Sequence, residues 1–458
     1  MVQVNIDMSA RGQDRGATAR AIAAARRIRA DALPEDVRCV ARHCFLDWFG
    51  VTLAGLREPL AQILLEEVRD LGGAPQASLL GCSERTSVLL AALANGAASH
   101  ALDYDDTHMA IVGHPSVPVI PALLAQAEHD GSSGLDVMTA FVAGVEVECF
   151  VGQLLGDDHY QRGFHATATI GSLGAAAACA HLLGLDAQQW AYALGAAATQ
   201  AGGLKSMFGT MCKPFHAGKA AANGLLAARL ARRGFDSNPT VLEAPLGFGH
   251  VLAPGADLER EIDPSPFAVR ETLFKYHAAC YLTHASIQAL VALRDAHRLR
   301  AEQVREIEVH VPPGHLDVCD IQQPASGLEA KFSLSAVLAM VLLGEDTSRP
   351  DAYTDELVAR PELIRLRDAT KTVPSAAQPP AGSMVVVRTL DGSELAESSD
   401  AGRPAEDLDR QWELLSAKFL GLAEPAIGLA RARELRARIA ELEKLGSMSA
   451  LTELCSPD

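Results

Sequence analysis

Side-chain size is what most limits the fold of this chain. From Ala166 to Leu185 the sequence, "ATATIGSLGAAAACAHLLGL", is almost entirely small and apolar. Similar texture recurs in "AALANGAASHAL" (91–102), "GLDVMTAFVAGVEVECFVGQLL" (134–155) and "WAYALGAAATQAGGL" (190–204). None of these stretches alternates with the period of a strand, and their small residues return every three or four positions. They are therefore read as helices whose axes can approach closely. With 48% hydrophobic but only 5% aromatic residues, alanine rather than bulky side chains must fill the core.

The texture changes after Pro264. "VREIEVHVP" (304–312) alternates, with Ile307, Val309 and Val311 on one face, and "SMVVVRTLDGSEL" (383–395) reads as a strand running into a hairpin turn at Asp391–Gly392. Helical stretches are expected between them near 333–343 and 350–367, and the chain turns helical again from Arg403. A length of 458 residues exceeds one simple core. The expected fold class is mainly α: a large all-helical domain formed by residues 1–265 plus 403–458, with a smaller α+β lid domain, residues 266–402, inserted.

A net charge of -17, with no Lys/Arg run beyond the Arg20–Arg29 stretch, argues against nucleic acid as a partner. No window approaches about 18 bulky apolar residues, so no membrane span is expected. The opening 30 residues carry no stretch suited to a signal peptide. Nine cysteines without a CxxC pair remove the main signature of zinc-ribbon and iron–sulfur sites and fit a reducing, cytoplasmic setting.

Four polar junctions interrupt the small-residue helices. The loop "LDYDDTHMAIVGHPS" (102–116) gathers Asp103, Asp105, Asp106, Thr107, His108 and His114, more polar chemistry than a helix connection needs, although an Asx-rich turn capping a helix near Ser116 is the plain alternative. "RGFHATATIG" places His165 just outside a helix that Thr167 or Thr169 would cap. "KPFHAGKAAANG" places Lys213 immediately before a helix begun by Pro214, with His216 in its first turn. "FKYHAACYLTHASIQAL" (274–290) supplies Lys275, His277, Cys280, Tyr281 and His284, with Thr283 a possible cap. Helix N-termini attract anions, and histidines move protons near neutral pH. If these junctions converge, they form a pocket for a small organic polyanion. A zinc hydrolase built on His108, His114, Asp105 and Asp106 is one rival reading, and a non-enzymatic helical scaffold is another.

Taken together, "ALDYDDTH…GHPS", "GFHATATIGSLGAAAA", "KPFHAGKAAANG" and "KYHAACYLTH", in this order, resemble the MmgE/PrpD family, which includes 2-methylcitrate dehydratases, cis-aconitate decarboxylases and iminodisuccinate epimerases. The resemblance implies a cytoplasmic homodimer that acts on a small di- or tricarboxylate without metal or organic cofactor. The reaction would be dehydration of the 2-methylcitrate type, with epimerisation or decarboxylation as alternatives. It also implies catalytic roles for Asp103, His114, His165, Lys213 and Lys275. Thr107, His108, His216, His277, Cys280 and His284 are the expected substrate-binding residues. The first loop is one residue longer than in the decarboxylases, which leaves both His108 and His114 open. Cys280 stands where those enzymes carry a histidine.

Overall fold

The computed structural model describes residues 16–262 and 267–456. The expected domain boundary at 265/266 and most of the N-terminal stretch lie outside them. The chain divides into two compact units.

The first unit comprises Met1–Ala101, Asp105–Thr272 and Leu422–Asp458. Its main helices are α1 (Glu35–Gly55), α2 (Val88–Ser99), α3 (Ser116–Asp130), α4 (Gly134–Gln161), α5 (Ala166–Leu182), α6 (Ala187–Ala198) and α7 (Cys212–Arg232). One exception breaks the all-helical expectation: Ala77–Ser78 and Arg85–Thr86 pair as a two-residue antiparallel ribbon.

The core of this unit shows what the small residues are for. Ala175 to Ala180 on α5 are all fully buried. A Cβ added at Gly218 of α7 would lie 2.1 Å from the Leu93 carbonyl oxygen of α2, and one at Gly224 would lie 2.5 Å from Ala175 Cβ of α5. Backbones at these distances touch directly, so α7 is wedged against α2 and α5 with no room for branching.

The second unit comprises Leu102–Tyr104 and Leu273–Gly421. Four strands, β1 (Val304–Val311), β2 (Thr370–Pro374), β3 (Gly382–Thr389) and β4 (Glu394–Asp400), form one sheet in the order β2-β1-β3-β4. β1 runs parallel to β2 and antiparallel to β3, and β3 pairs antiparallel with β4. The hairpin falls where the sequence places it, with Gly392 at φ 90. Ile307, Val309 and Val311 are fully buried; helix α8 (His284–His297) packs on β3 and β4, α10 (Leu334–Leu342) meets β2 and α8, and α9 (Pro313–Cys319) follows β1 directly.

The extent of this unit differs from the expected 266–402. It starts at Leu273, takes in Leu102–Tyr104, and includes the first two thirds of α11 (Leu408–Ile427). The physical reason is Lys418 on α11. Its ammonium donates to the carbonyls of Tyr104 (2.7 Å) and Lys275 (2.9 Å) and lies 3.8 Å from the centre of the Tyr104 ring. Helical periodicity shows that α11 is a helix but does not show which partner its lysine chooses.

Replacing Gly218 with Val should force α2 and α7 apart and cost roughly 1–3 kcal/mol or more. Urea unfolding of the variant checks this, and an unchanged midpoint would mean that the helices do not meet there.

Candidate active site

In the first unit, the segment that connects α2 to α3 turns on Asp105, which is 1% exposed. Burial alone would push its carboxyl up, but the imidazoles of His100 and His114 outweigh that and hold it well below the usual carboxylate range. The contacts are direct. His100 Nδ1 lies 2.9 Å from one carboxylate oxygen, and His114 Nδ1 lies 2.8 Å from the other. His114 Nδ1 also lies 2.7 Å from the Asp106 carbonyl. The carboxylate, joined at His114 by the Asp106 carbonyl, therefore fixes both tautomers, with the protons on Nδ1 and the lone pairs on Nε2.

His100 occupies the C-cap of α2 and is fully buried. Burial, only partly offset by Asp105, lowers its pKa to about 4, so the ring is neutral at physiological pH. Its Nε2 is buried and meets no hydrogen-bonding partner among the described residues. The ring centres of His100 and His114 are 4.6 Å apart, and His165 stacks on His100 at 5.8 Å with a 17° tilt.

His165 is itself the N-cap of α5, which begins at Ala166. The threonines expected to cap this helix act otherwise. Thr167 Oγ1 accepts the His114 N–H at 3.1 Å, and Thr169 Oγ1 donates back to the His165 carbonyl. His165 Nδ1 meets His216 Nδ1 at 3.1 Å, so one ring donates and the other accepts. Burial first, then the charges of its neighbours, keep His165 well below the ordinary histidine range. α7 starts at Cys212, which puts Lys213 inside its first turn rather than before it. Lys213 Nζ stands 5.1 Å from the Phe208 ring, which meets His165 edge-on at 5.0 Å.

Two loop residues named from the sequence serve the backbone instead. Thr107 Oγ1 donates to the Gly113 carbonyl at 3.0 Å. His108 donates from Nε2 to the Ala268 carbonyl (2.9 Å) and accepts the Ala110 N–H at Nδ1 (3.1 Å), which engages both ring nitrogens. Asp106 accepts from the Ser116 N–H and hydroxyl at the head of α3, the capping role of the plain alternative. Burial and then Asp47 raise its pKa to about 8. Neighbouring carboxyls in one loop are thus driven in opposite directions.

The zinc quartet of the rival reading is not gathered, because His108 and Asp106 are engaged elsewhere. His100, Asp105 and His114 do offer ligand atoms within 4.8 Å of one another. The Asp105 carboxylate is already engaged by the Nδ1 atoms of both histidines, so an ion there would compete with those contacts.

In the second unit, Lys275 is 2% exposed. Its ammonium donates to the Asp103 carbonyl at 2.5 Å and to the Asp103 carboxylate at 3.1 Å. Asp103 holds φ 51, a left-handed conformation uncommon outside glycine, and so presents both oxygens to one cation. His277 Nδ1 lies 2.8 Å from Thr347 Oγ1, and the His277 ring meets that of the fully buried His284 at 5.1 Å. Burial lowers the His277 pKa to about 4. Thr283 holds the N-cap position of α8, but its hydroxyl donates to the Cys280 carbonyl instead of capping. The Cys280 sulfur lies 3.2 Å from that of Cys319.

The sequence reading missed His100 and gave Asp105 a specific role only in the rival zinc site. The available signal was a histidine at a helix end five residues before an aspartate, immediately ahead of the first motif.

Two consequences can be measured. Asp103→Ala takes the carboxylate from a buried ammonium and should cost about 3 kcal/mol, whereas Lys275→Met leaves a partly exposed carboxylate that water can reach and should cost less. Equal losses in chemical denaturation would contradict the pairing. The second consequence concerns pH. The unfolded His100 takes up its proton near pH 6.5 and the folded one near 4, so the unfolded chain binds more protons across that window. His100 therefore withdraws stability as pH falls through it, by roughly 3 kcal/mol in total. His100→Asn should flatten the stability–pH curve between 6.5 and 4, and an unchanged slope would mean that this ring is not held neutral.

Comparison with known proteins gives a consistent picture. The family model for the MmgE/PrpD N-terminal domain matches residues 20–261, and that for the MmgE/PrpD C-terminal domain matches residues 277–444. Cis-aconitate decarboxylase of Homo sapiens is 30% identical over 391 residues, covering 80% of this chain and 78% of the human protein. Cis-aconitate decarboxylase of Aspergillus terreus strain NIH 2624 is 26% identical over 476 residues, 96% of each chain. A probable 2-methylcitrate dehydratase of Saccharomyces cerevisiae is 25% identical over 363 residues, 71% of this chain and 68% of that protein. With both family models matched across most of its length, the chain belongs to the MmgE/PrpD family.

Proposed function

We propose that this protein is a lyase that acts on the carbon next to a carboxylate in a small di- or tricarboxylate, without metal or organic cofactor. The observation that carries this reading is the Asp105 carboxylate holding His100 and His114 by their Nδ1 atoms, with a neutral His165 stacked alongside. A neutral imidazole with its Nδ1 proton on a carboxylate presents a basic Nε2, and the carboxylate stabilises the imidazolium once a proton is taken.

Removing a proton beside a carboxylate builds negative charge on that group's oxygens. Lys213, in the first turn of α7 and so at the positive end of that helix, supplies positive potential for it. Lys275, held by Asp103, has the catalytic role that the family resemblance implies for it. Asp103 precedes Asp105 by two residues in the same loop. From the enolate-like state, loss of a β-hydroxyl completes dehydration, and the histidine that took the proton becomes the acid that assists the departure. Dehydration of a 2-methylcitrate-like substrate is the first reading. Decarboxylation is the second, favoured by the similarity to cis-aconitate decarboxylases. In that case loss of CO2 reaches a similar anion, and a histidine protonates it. Return of the proton to the opposite face would give epimerisation. Thr107 and His108 are assigned to shaping the loop rather than to touching substrate. The family resemblance supports a homodimer acting in the cytoplasm. Among the described residues no helix is long and apolar enough to cross a membrane.

Incubating the protein in D2O with 2-methylcitrate, citrate, cis-aconitate and iminodisuccinate, and following C–H exchange and products by NMR, tests this reading. At least one substrate should exchange or turn over. Asp105→Asn should lower that rate by about 10²-fold or more while the fold persists. Absence of exchange with all four, or full activity in Asp105→Asn, would overturn it.

A further inference from the structure

Within the second unit, Cys280 and Cys319 are 39 positions apart, yet their sulfurs are 3.2 Å apart. We propose that this pair is an oxidation site, a dithiol that closes to an intramolecular disulfide under mild peroxide and reopens with thiol reductant.

The argument rests on how both residues are held. The Cys280 N–H donates to the Lys331 carbonyl at 2.9 Å, and its carbonyl receives the Thr283 N–H (2.9 Å) and hydroxyl (2.8 Å). Cys319 ends α9, and the next residue, Asp320, bridges to Ser333. Backbone bonds thus fix both residues while their side chains meet. A disulfide has sulfurs about 2.05 Å apart, so closure needs an approach of about 1.2 Å, within reach of side-chain rotation. The two thiols are also unequal. Cys280 is partly accessible, and the hydrogen bond from Cys319, helped by the charge of Lys275, favours its thiolate against burial and the Asp103 carboxylate. Cys319 is fully buried, and its thiol is pushed up by the same contact and by burial. That division matches an attacking and a resolving cysteine.

The chemistry balances with hydrogen peroxide as oxidant. The Cys280 thiolate attacks one peroxide oxygen, the O–O bond breaks, and hydroxide leaves and is protonated to water, giving a sulfenic acid. The Cys319 sulfur attacks the sulfenic sulfur, the S–S bond forms, the S–O bond breaks and a second water departs. Two electrons pass from the sulfurs to the peroxide.

Cys280 lies five residues after Lys275, so closure ties the segment bearing that buried cation to the end of α9. A reversible loss of activity should follow. This consequence rests on the function proposed above, whereas the cross-link does not. The test exposes the full-length protein to graded hydrogen peroxide, blocks remaining thiols with an alkylating reagent and maps peptides by mass spectrometry. The expected result is a Cys280–Cys319 cross-linked peptide, lighter by two hydrogens, that disappears with dithiothreitol. It should be absent from Cys319→Ser, whose fold is verified by circular dichroism and whose activity should resist peroxide. Separate alkylation of the two cysteines at every peroxide level, or stable sulfinic acid on Cys280 without a cross-link, would overturn the site. A cross-link that leaves C–H exchange unchanged would remove its control over activity. An enzyme inactive even when reduced would count against the proposed function and leave the disulfide assignment standing.

Discussion

A single buried carboxylate shared by two imidazoles organises the first unit's site. Asp105 lies in a region too dry to tolerate an isolated charge, and the Nδ1 groups of His100 and His114 are what keep it ionised. The dependence runs both ways. Without the carboxylate, His100 loses the acceptor that fixes its tautomer, His114 keeps only the Asp106 carbonyl, and His165 loses the ordered face on which it stacks. The small-residue helices matter because they bring these groups together. α2 ends in His100, α5 begins at His165 and α7 begins beside Lys213. All three helices pack through glycine and alanine contacts that set their ends to within a few ångströms.

Asp105 and Asp106 show how environment assigns roles to identical side chains. Both are 1% exposed and adjacent in sequence. Asp105 accepts from the Nδ1 groups of two imidazoles and stays ionised. Asp106 faces a serine and the neighbouring Asp47, and its pKa rises to about 8. Divergence of this kind is a recurring mark of acid–base sites. Here it separates the carboxyl that orients the histidines from the one that starts α3. The second unit solves the opposite problem, a buried cation in a chain of net charge -17, by bending Asp103 into a left-handed turn so that both its carbonyl and its carboxylate face Lys275.

The helical texture and its small-residue faces were legible because they are local and periodic, and the strand alternation of β1 and β3 was legible for the same reason. The four polar junctions were also legible, since charged groups at the ends of apolar helices stand out. What the sequence could not reveal was long-range choice. His108 and His114 sit six residues apart in one loop with similar neighbours, but only the fold decides that one binds backbone at both nitrogens and the other binds Asp105. His100 looked like the end of an alanine-rich helix because its partner lies beyond the turn. The capping roles expected of Thr167 and Thr169 failed for a related reason: each hydroxyl found a closer tertiary or backbone partner than the helix N-terminus.

The most direct test of this account is the protonation pattern of the histidines in the folded protein, read by long-range ¹H–¹⁵N NMR with histidine-selective labelling at neutral pH. The arrangement requires His100 to be neutral with its proton on Nδ1 and a bare Nε2, and requires His114 to carry a proton on Nδ1 as well. Replacing Asp105 with Asn should abolish this preference at His100, while the Asp106 carbonyl continues to hold the His114 proton on Nδ1. Finding His100 as an imidazolium, or as the Nε2–H tautomer, would contradict the claim that Asp105 sets the chemistry of this site.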